Sequence, residues 1–240
     1  MTDPLTQTAP APASVPTEWD TQEAPTPALE AVSASDLAAQ LSARLCHDFV
    51  SPASAIVSGL DLLEDPTAAD MRDDAMNLIS ASARKLVDML AFARVAFGAS
   101  ASAENFDSRE LEKLARGIYT HVRPELEWAV TPSTVNKASA RALLNLAQLG
   151  AGVLPTGGLA RVTAVEQEGD VLLSIEASGP RVRLRPEVIN GLRGEKLEGG
   201  LGGNWVQAYY LYLLIKAAGG GLDFSVTEDR VTLRARVPAG

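Results

Sequence analysis

Apolar residues return every three or four positions from Leu37 onward: Leu37, Leu41, Leu45, Phe49, Pro52, Ile56, Leu60 and Leu63. At roughly 100° per residue they share one broad sector, which predicts a long amphipathic helix ending near Glu64. Ser33 or Ser35 can cap its start, with Asp36 favourable in the first turn. Asp65-Pro66-Thr67 signals a turn. A second helix is predicted from about Ala68 to Phe97. Its apolar face holds Met71, Ala75, Leu78, Ile79, Leu86, Met89, Leu90, Ala93 and Phe97. So short a connection makes the two helices antiparallel neighbours. A lone hairpin leaves its core face bare. Either two copies close a four-helix bundle, or the second half of the chain folds over the same face.

The pattern then changes. Residues 98–103 are a linker of small residues. A helix follows from Ser108 to about Val122, carrying Leu111, Leu114, Ile118 and Val122 on one side. Leu126 to Val130 reads as a strand, Pro132 to Val135 as a turn, and Asn136 to Leu149 as a helix. Gly150 to Gly158 reads as a glycine-rich loop. Strands are expected at Leu159 to Val165, Val171 to Ala177, Gly221 to Val226 and Asp229 to Val237, the last two as a hairpin. Helices are expected near Pro186 to Leu192 and from Asn204 to Ala218. The sum is α + α/β: a helical hairpin, then an α/β sandwich with a mixed sheet covered by helices on one face and its own core. Residues 1–33 are Pro/Ala/Thr-rich, with Trp19 their one bulky anchor. They cannot bury enough surface to offset ordering entropy, which predicts disorder. The expected units are therefore a 1–33 tail, a 34–98 hairpin and a 104–240 α/β domain.

The polar side of the first helix carries the chemistry. With Leu45 at zero, His47 lies at about 200°, opposite the apolar stripe. Gln40, Ser51, Ser54 and Ser58 lie near it, between roughly 180° and 240°. The imidazole should therefore face solvent from a stripe of small residues that a large partner can approach. Asp48 is the nearest group to orient the ring, and Arg44 is close enough to meet an acidic partner rim. Pro52 removes a backbone donor and frees the Asp48 carbonyl, at a cost on the order of 3 kcal/mol unless offset. That points to a shaped site. The other histidine, His121, sits at the end of the third helix, where it is mildly stabilising when charged.

Net charge is −9 and the pI about 4.8, which argues against nucleic acid or an anionic membrane surface as partner. The single cysteine, Cys46, excludes an intrachain disulfide and fits a reducing cytoplasm. Apolar runs are too short to span a membrane, and the N-terminus lacks the blocks of a signal peptide.

The string His47-Asp48-Phe49-Val50-Ser51-Pro52 resembles the phosphoacceptor box of sensor histidine kinases: a histidine, an acid, two variable residues, a small hydroxyl residue and proline. From about residue 35 the chain is similar to the ChpT-type histidine phosphotransferases of alphaproteobacteria. The second half resembles a histidine-kinase ATPase domain with its chemistry missing. Asn145 matches the first asparagine of the kinase Asn-x-x-x-Asn helix, but the metal-carrying second falls on Leu149, which has no oxygen for magnesium. The Asp-x-Gly-x-Gly turn aligns with Ala177-Ser178-Gly179-Pro180-Arg181, so the adenine-reading aspartate is Ala177. The later Gly-x-Gly loop survives as Gly199-Gly200-Leu201-Gly202-Gly203, which could cradle a phosphate.

The resemblance implies a cytoplasmic phosphorelay histidine phosphotransferase, homodimeric through residues of about 36 to 97. His47 would shuttle a phosphoryl group between receiver aspartates, with Asp48 at the reacting ring and Arg44, Ser51, Ser54 and Ser58 meeting the partner. No cofactor of its own is expected, since Mg2+ would come with the receiver. The implied donor is the receiver of a CckA-like hybrid kinase, and the implied acceptors are CtrA-like and CpdR-like regulators. An ATP-dependent kinase and a non-catalytic pseudokinase scaffold are the rival readings.

Overall fold

The computed structural model describes residues 32–98, 104–196 and 202–239. Most of the 1–33 tail, Trp19, most of the 98–103 linker and Gly199 to Leu201 of the glycine loop lie outside the described residues.

Two long helices open the fold, α1 (Ala34–Glu64) and α2 (Arg72–Ala96), joined by a short 3-10 segment, Pro66–Met71. Ser33 caps α1, its hydroxyl accepting from the Asp36 amide. The helix runs on through Pro52, which is buried. Asp65 ends it and caps the next segment, accepting from Thr67 N and Oγ1 at 2.8 and 2.7 Å. These hydrogen bonds hold the Asp65 carboxyl below its usual range. The two helices approach closely at Gly59. A Cβ there would sit 2.6 Å from Ile79 Cγ1 and 3.1 Å from the Ala75 carbonyl oxygen.

The remaining elements are β1 (Asn105–Asp107), α3 (Ser108–Tyr119), β2 (Glu125–Val130), β3 (Thr134–Asn136), α4 (Lys137–Gly152), β4 (Leu159–Gln167), β5 (Asp170–Ser178), α5 (Pro186–Leu192), α6 (Gly203–Ala217), β6 (Gly221–Val226) and β7 (Arg230–Pro238). The main sheet has the order β2-β4-β5-β7-β6, parallel between β2 and β4 and antiparallel elsewhere. It is the mixed sheet expected. Along β5, Val171, Leu173, Ile175 and Ala177 alternate inward beneath the helices. The opposite face carries ion pairs such as Arg161–Glu127 and Arg230–Glu176, at 3.2 and 3.0 Å.

Three expectations need correction. Residues 132–135 are not only a turn: Thr134–Asn136 pairs with Asn105–Asp107 as a small second sheet, and Asn136 caps α4. The α4 helix runs through Gly150 to Gly152, because Gly150 lets it lie on the sheet; a Cβ there would be 2.6 Å from Ile175 Cγ1. Finally, the second half does not keep its core to itself. Phe92 and Ala96 of α2 are buried in the same cluster as Leu111, Leu143 and Ile175.

That joint has a specific chemistry. The last carbonyls of a helix lack intrahelical donors. Asn145 Nδ2 on α4 donates to the Ala96 carbonyl at 3.2 Å, and Arg141 Nη2 donates to that of Gly98. At the same open end of the hairpin, Val32, Leu37 and Leu41 pack against Trp205, Val206 and Tyr209 of α6.

Candidate functional site

His47 projects from the middle of α1 with its side chain 88% exposed. Ser51, Ser54 and Ser58 follow it along the helix and are also exposed. The expected stripe is therefore open to solvent. Asp48 lies beside the ring: its Oδ1 is 3.3 Å from His47 Nδ1, at the long end for a hydrogen bond. A carboxylate can only accept, so Nδ1 carries the proton in this contact, an arrangement that in the neutral ring leaves the lone pair on Nε2.

Arg44 is placed differently from the expectation. It does not point toward an approaching partner; its side chain is 13% exposed and turned to α6. There Nη1 donates to the Gly203 carbonyl, and Nε lies 3.6 Å from Asp48 Oδ2 as an ion pair. Burial lowers the Arg44 guanidinium from its ordinary value, and Asp48 opposes that shift. The helical angle alone could not show this, because it is α6 that covers Arg44.

Between α1 and the start of α6 lies a cleft of about 360 Å³, lined by Gln40, Arg44, His47, Asp48, Gly203 and Asn204 among others. The sequence places Gln40, His47 and Asp48 on one helix. It carries no signal that Asn204 and Val206 stand across from them.

The positions that match the kinase nucleotide motifs serve packing instead. Leu149 is 5% exposed and Ala177 1% exposed, both in the core. Asn145 is fully buried; its amide is bound to Ala96, and its Oδ1 accepts from Gln207 Nε2 at 3.4 Å. Among the described residues no cluster of three or more His, Cys, Asp or Glu could hold a metal ion.

A family model, histidine phosphotransferase C-terminal domain, matches residues 108–230. The protein phosphotransferase ChpT of Brucella abortus (strain 2308) is 34% identical over 205 residues, spanning 85% of this chain and 97% of its own. This chain belongs to the ChpT family of histidine phosphotransferases. It is a protein phosphotransferase of a phosphorelay.

A solved bacterial phosphotransferase, 33% identical, superposes over 85% of this chain and 97% of its own with a TM-score of 0.77. The hairpin followed by a helix-covered mixed sheet is thus the architecture of a solved phosphotransferase. The Acinetobacter baumannii histidine kinase AdeS aligns over 81% of this chain at 14% identity and a TM-score of 0.44, too distant to bear on function. Membership of the ChpT family implies two-component partners. Among the described residues no helix is long and apolar enough to cross a membrane.

Proposed function

We propose that His47 is the residue that carries the phosphoryl group. The observation that supports this is an imidazole 88% exposed whose Nδ1 alone is engaged, leaving Nε2 free. Nε2 attacks the phosphorus of a receiver's aspartyl phosphate. An N–P bond forms as the P–O bond breaks, and the receiver carboxylate leaves with the electron pair. The ring becomes cationic, and Asp48 beside Nδ1–H offsets that charge. The return step, to a second receiver's aspartate, reverses the same bonds. Such transfer needs mainly positioning and charge neutralisation. The Mg2+ comes with the receiver, and the chain needs no cofactor of its own.

The receiver docks over the Ser51, Ser54 and Ser58 stripe, in the cytoplasm. By family resemblance the donor is the receiver of a CckA-like hybrid kinase, and the acceptors are CtrA-like and CpdR-like regulators. ATP is not the phosphoryl source, since Leu149 and Ala177 supply neither the metal ligand nor the adenine acceptor.

The active form is a homodimer through the hairpin. Val50, Val57 and Leu60 on α1 and Met76, Val87 and Leu90 on α2 stay between 46% and 63% exposed in the single chain. So large an apolar surface fits an interface. Leu60 and Leu90, placed on core faces by periodicity, belong to this outer set. Ile79 does not: it packs against Gly59 inside the hairpin. Val57→Glu with Leu60→Glu should give a monomer mass by light scattering, where the parent gives a dimer.

Radiolabel transferred from a phosphorylated receiver tests the chemistry. Label on the parent and none on His47→Ala supports the reading; label on both overturns it. A parent that binds receivers without taking label is a scaffold. One that labels itself from Mg2+–ATP is a kinase.

A further inference from the structure

An exposed histidine and the aspartate that follows it on a helix do not naturally face each other, because adjacent positions diverge by about 100°. Something must hold the Asp48 carboxylate toward the ring. Only one of its oxygens meets His47; the other, Oδ2, is the one near Arg44 Nε at 3.6 Å. Arg44 precedes Asp48 by four residues, the less favourable order for such a pair on a helix. The pair therefore owes little to the helix itself. It is fixed from outside, by the Gly203 carbonyl at the start of α6, which accepts from Arg44 Nη1.

We infer that Arg44 is a positioning residue: it anchors Asp48 to the α6 end of the second unit and so fixes which ring nitrogen of His47 is free to attack. This rests on His47 being the phosphoacceptor. The exposures separate the two roles. An incoming receiver reaches the His47 ring, 88% exposed, but not the Arg44 side chain, 13% exposed. Arg44 thus acts through Asp48 rather than on the partner. Its charge holds the Asp48 carboxylate in place beside the ring, which in turn keeps the proton on Nδ1 and offsets the cationic ring as the N–P bond forms. Moving Nε about half an ångström closer would turn the ion pair into a hydrogen bond. The link also makes the ring's readiness depend on α6 being seated against α1.

The test is the His47 ring in full-length protein, read by nitrogen NMR at neutral pH, beside receiver affinity and the rate of label transfer. In Arg44→Met, which keeps the apolar stem, the signal should move from the Nδ1–H tautomer toward Nε2–H. Label transfer should fall about tenfold while receiver affinity holds within twofold. Arg44→Lys, whose single ammonium cannot reach both Gly203 and Asp48, should shift the same way by a smaller factor. It replaces Arg44→Met if that variant fails to fold. An unchanged tautomer in the folded variant overturns the inference. So does a loss of receiver affinity with the tautomer unchanged, which makes Arg44 a partner contact instead. The tautomer is read without phosphate, so its outcome is separate from that of His47→Ala. Label on His47→Ala would overturn the phosphoacceptor and leave the positioning result standing.

Discussion

Each of the two histidines stands beside an aspartate, and the two pairs serve opposite ends. His47 and Asp48 are neighbours on one helix, 3.3 Å apart, with the ring 88% exposed. His121 and Asp88 come from different elements, with Nε2 2.8 Å from Oδ2 and the His121 side chain 19% exposed. The first pair leaves one nitrogen outward and available. The second closes the gap between α2 and the turn after α3, tying the hairpin to the second unit. Side-chain types alone do not separate them. What does is whether the partner lies along the same helix, where it cannot cover the ring, or across a joint, where the ring is enclosed.

The largest test of that contrast is chemical. His47→Ala should lower phosphotransfer by at least about a thousandfold without changing helicity or melting temperature. His121→Ala should keep the transfer chemistry in a folded sample. Label loss in His121→Ala at full helicity would break the contrast.

The closed side should respond in stability instead. Asn145→Leu fills the same space but strands the Ala96 carbonyl in the core. About 2 kcal/mol should be lost in urea unfolding. His121→Ala should cost less, about 1 kcal/mol, because Asp88 keeps access to water. Double-mutant cycles with Asp88→Ala would show whether that energy belongs to the pair.

The smallest effect is a pH effect. Tyr119 donates its hydroxyl to the Ala147 carbonyl at 2.8 Å, and burial pushes the phenol up. A raised folded value stabilises the fold fully below the ordinary phenol value of about 10, and that stability is lost as pH climbs through and beyond it. Tyr119→Phe should therefore resist alkaline unfolding to a higher pH than the parent.

Much of this was legible from residues. The long helices, the five strands of the main sheet and the outward His47 follow from the spacing of apolar side chains. So does the exposed serine stripe. The Asn105–Asp107 and Thr134–Asn136 strands were not legible, since three residues are too few to show a period. The turn of Arg44 toward α6 was not legible either. It depends on Gly203, far along the chain, and helical angles describe one helix at a time. The same holds for Asn145, which reads as a nucleotide residue and serves as a cap for the end of α2. A motif position keeps its residue type when its neighbours change, so only the contacts reveal the new use.

The packing of Val32, Leu37 and Leu41 against Trp205, Val206 and Tyr209 also bears on how the chain is made. The first helix leaves the ribosome well before its partner α6 exists. At about 5–20 residues per second the wait is on the order of 10–30 s. Throughout it, the Val50, Val57 and Leu60 face and the α6-facing side are both bare. A nascent hairpin in that state is a substrate for chaperones, and a competitor for hairpins on neighbouring ribosomes. Chains released by puromycin before residue 203 should aggregate, while full-length chains should not.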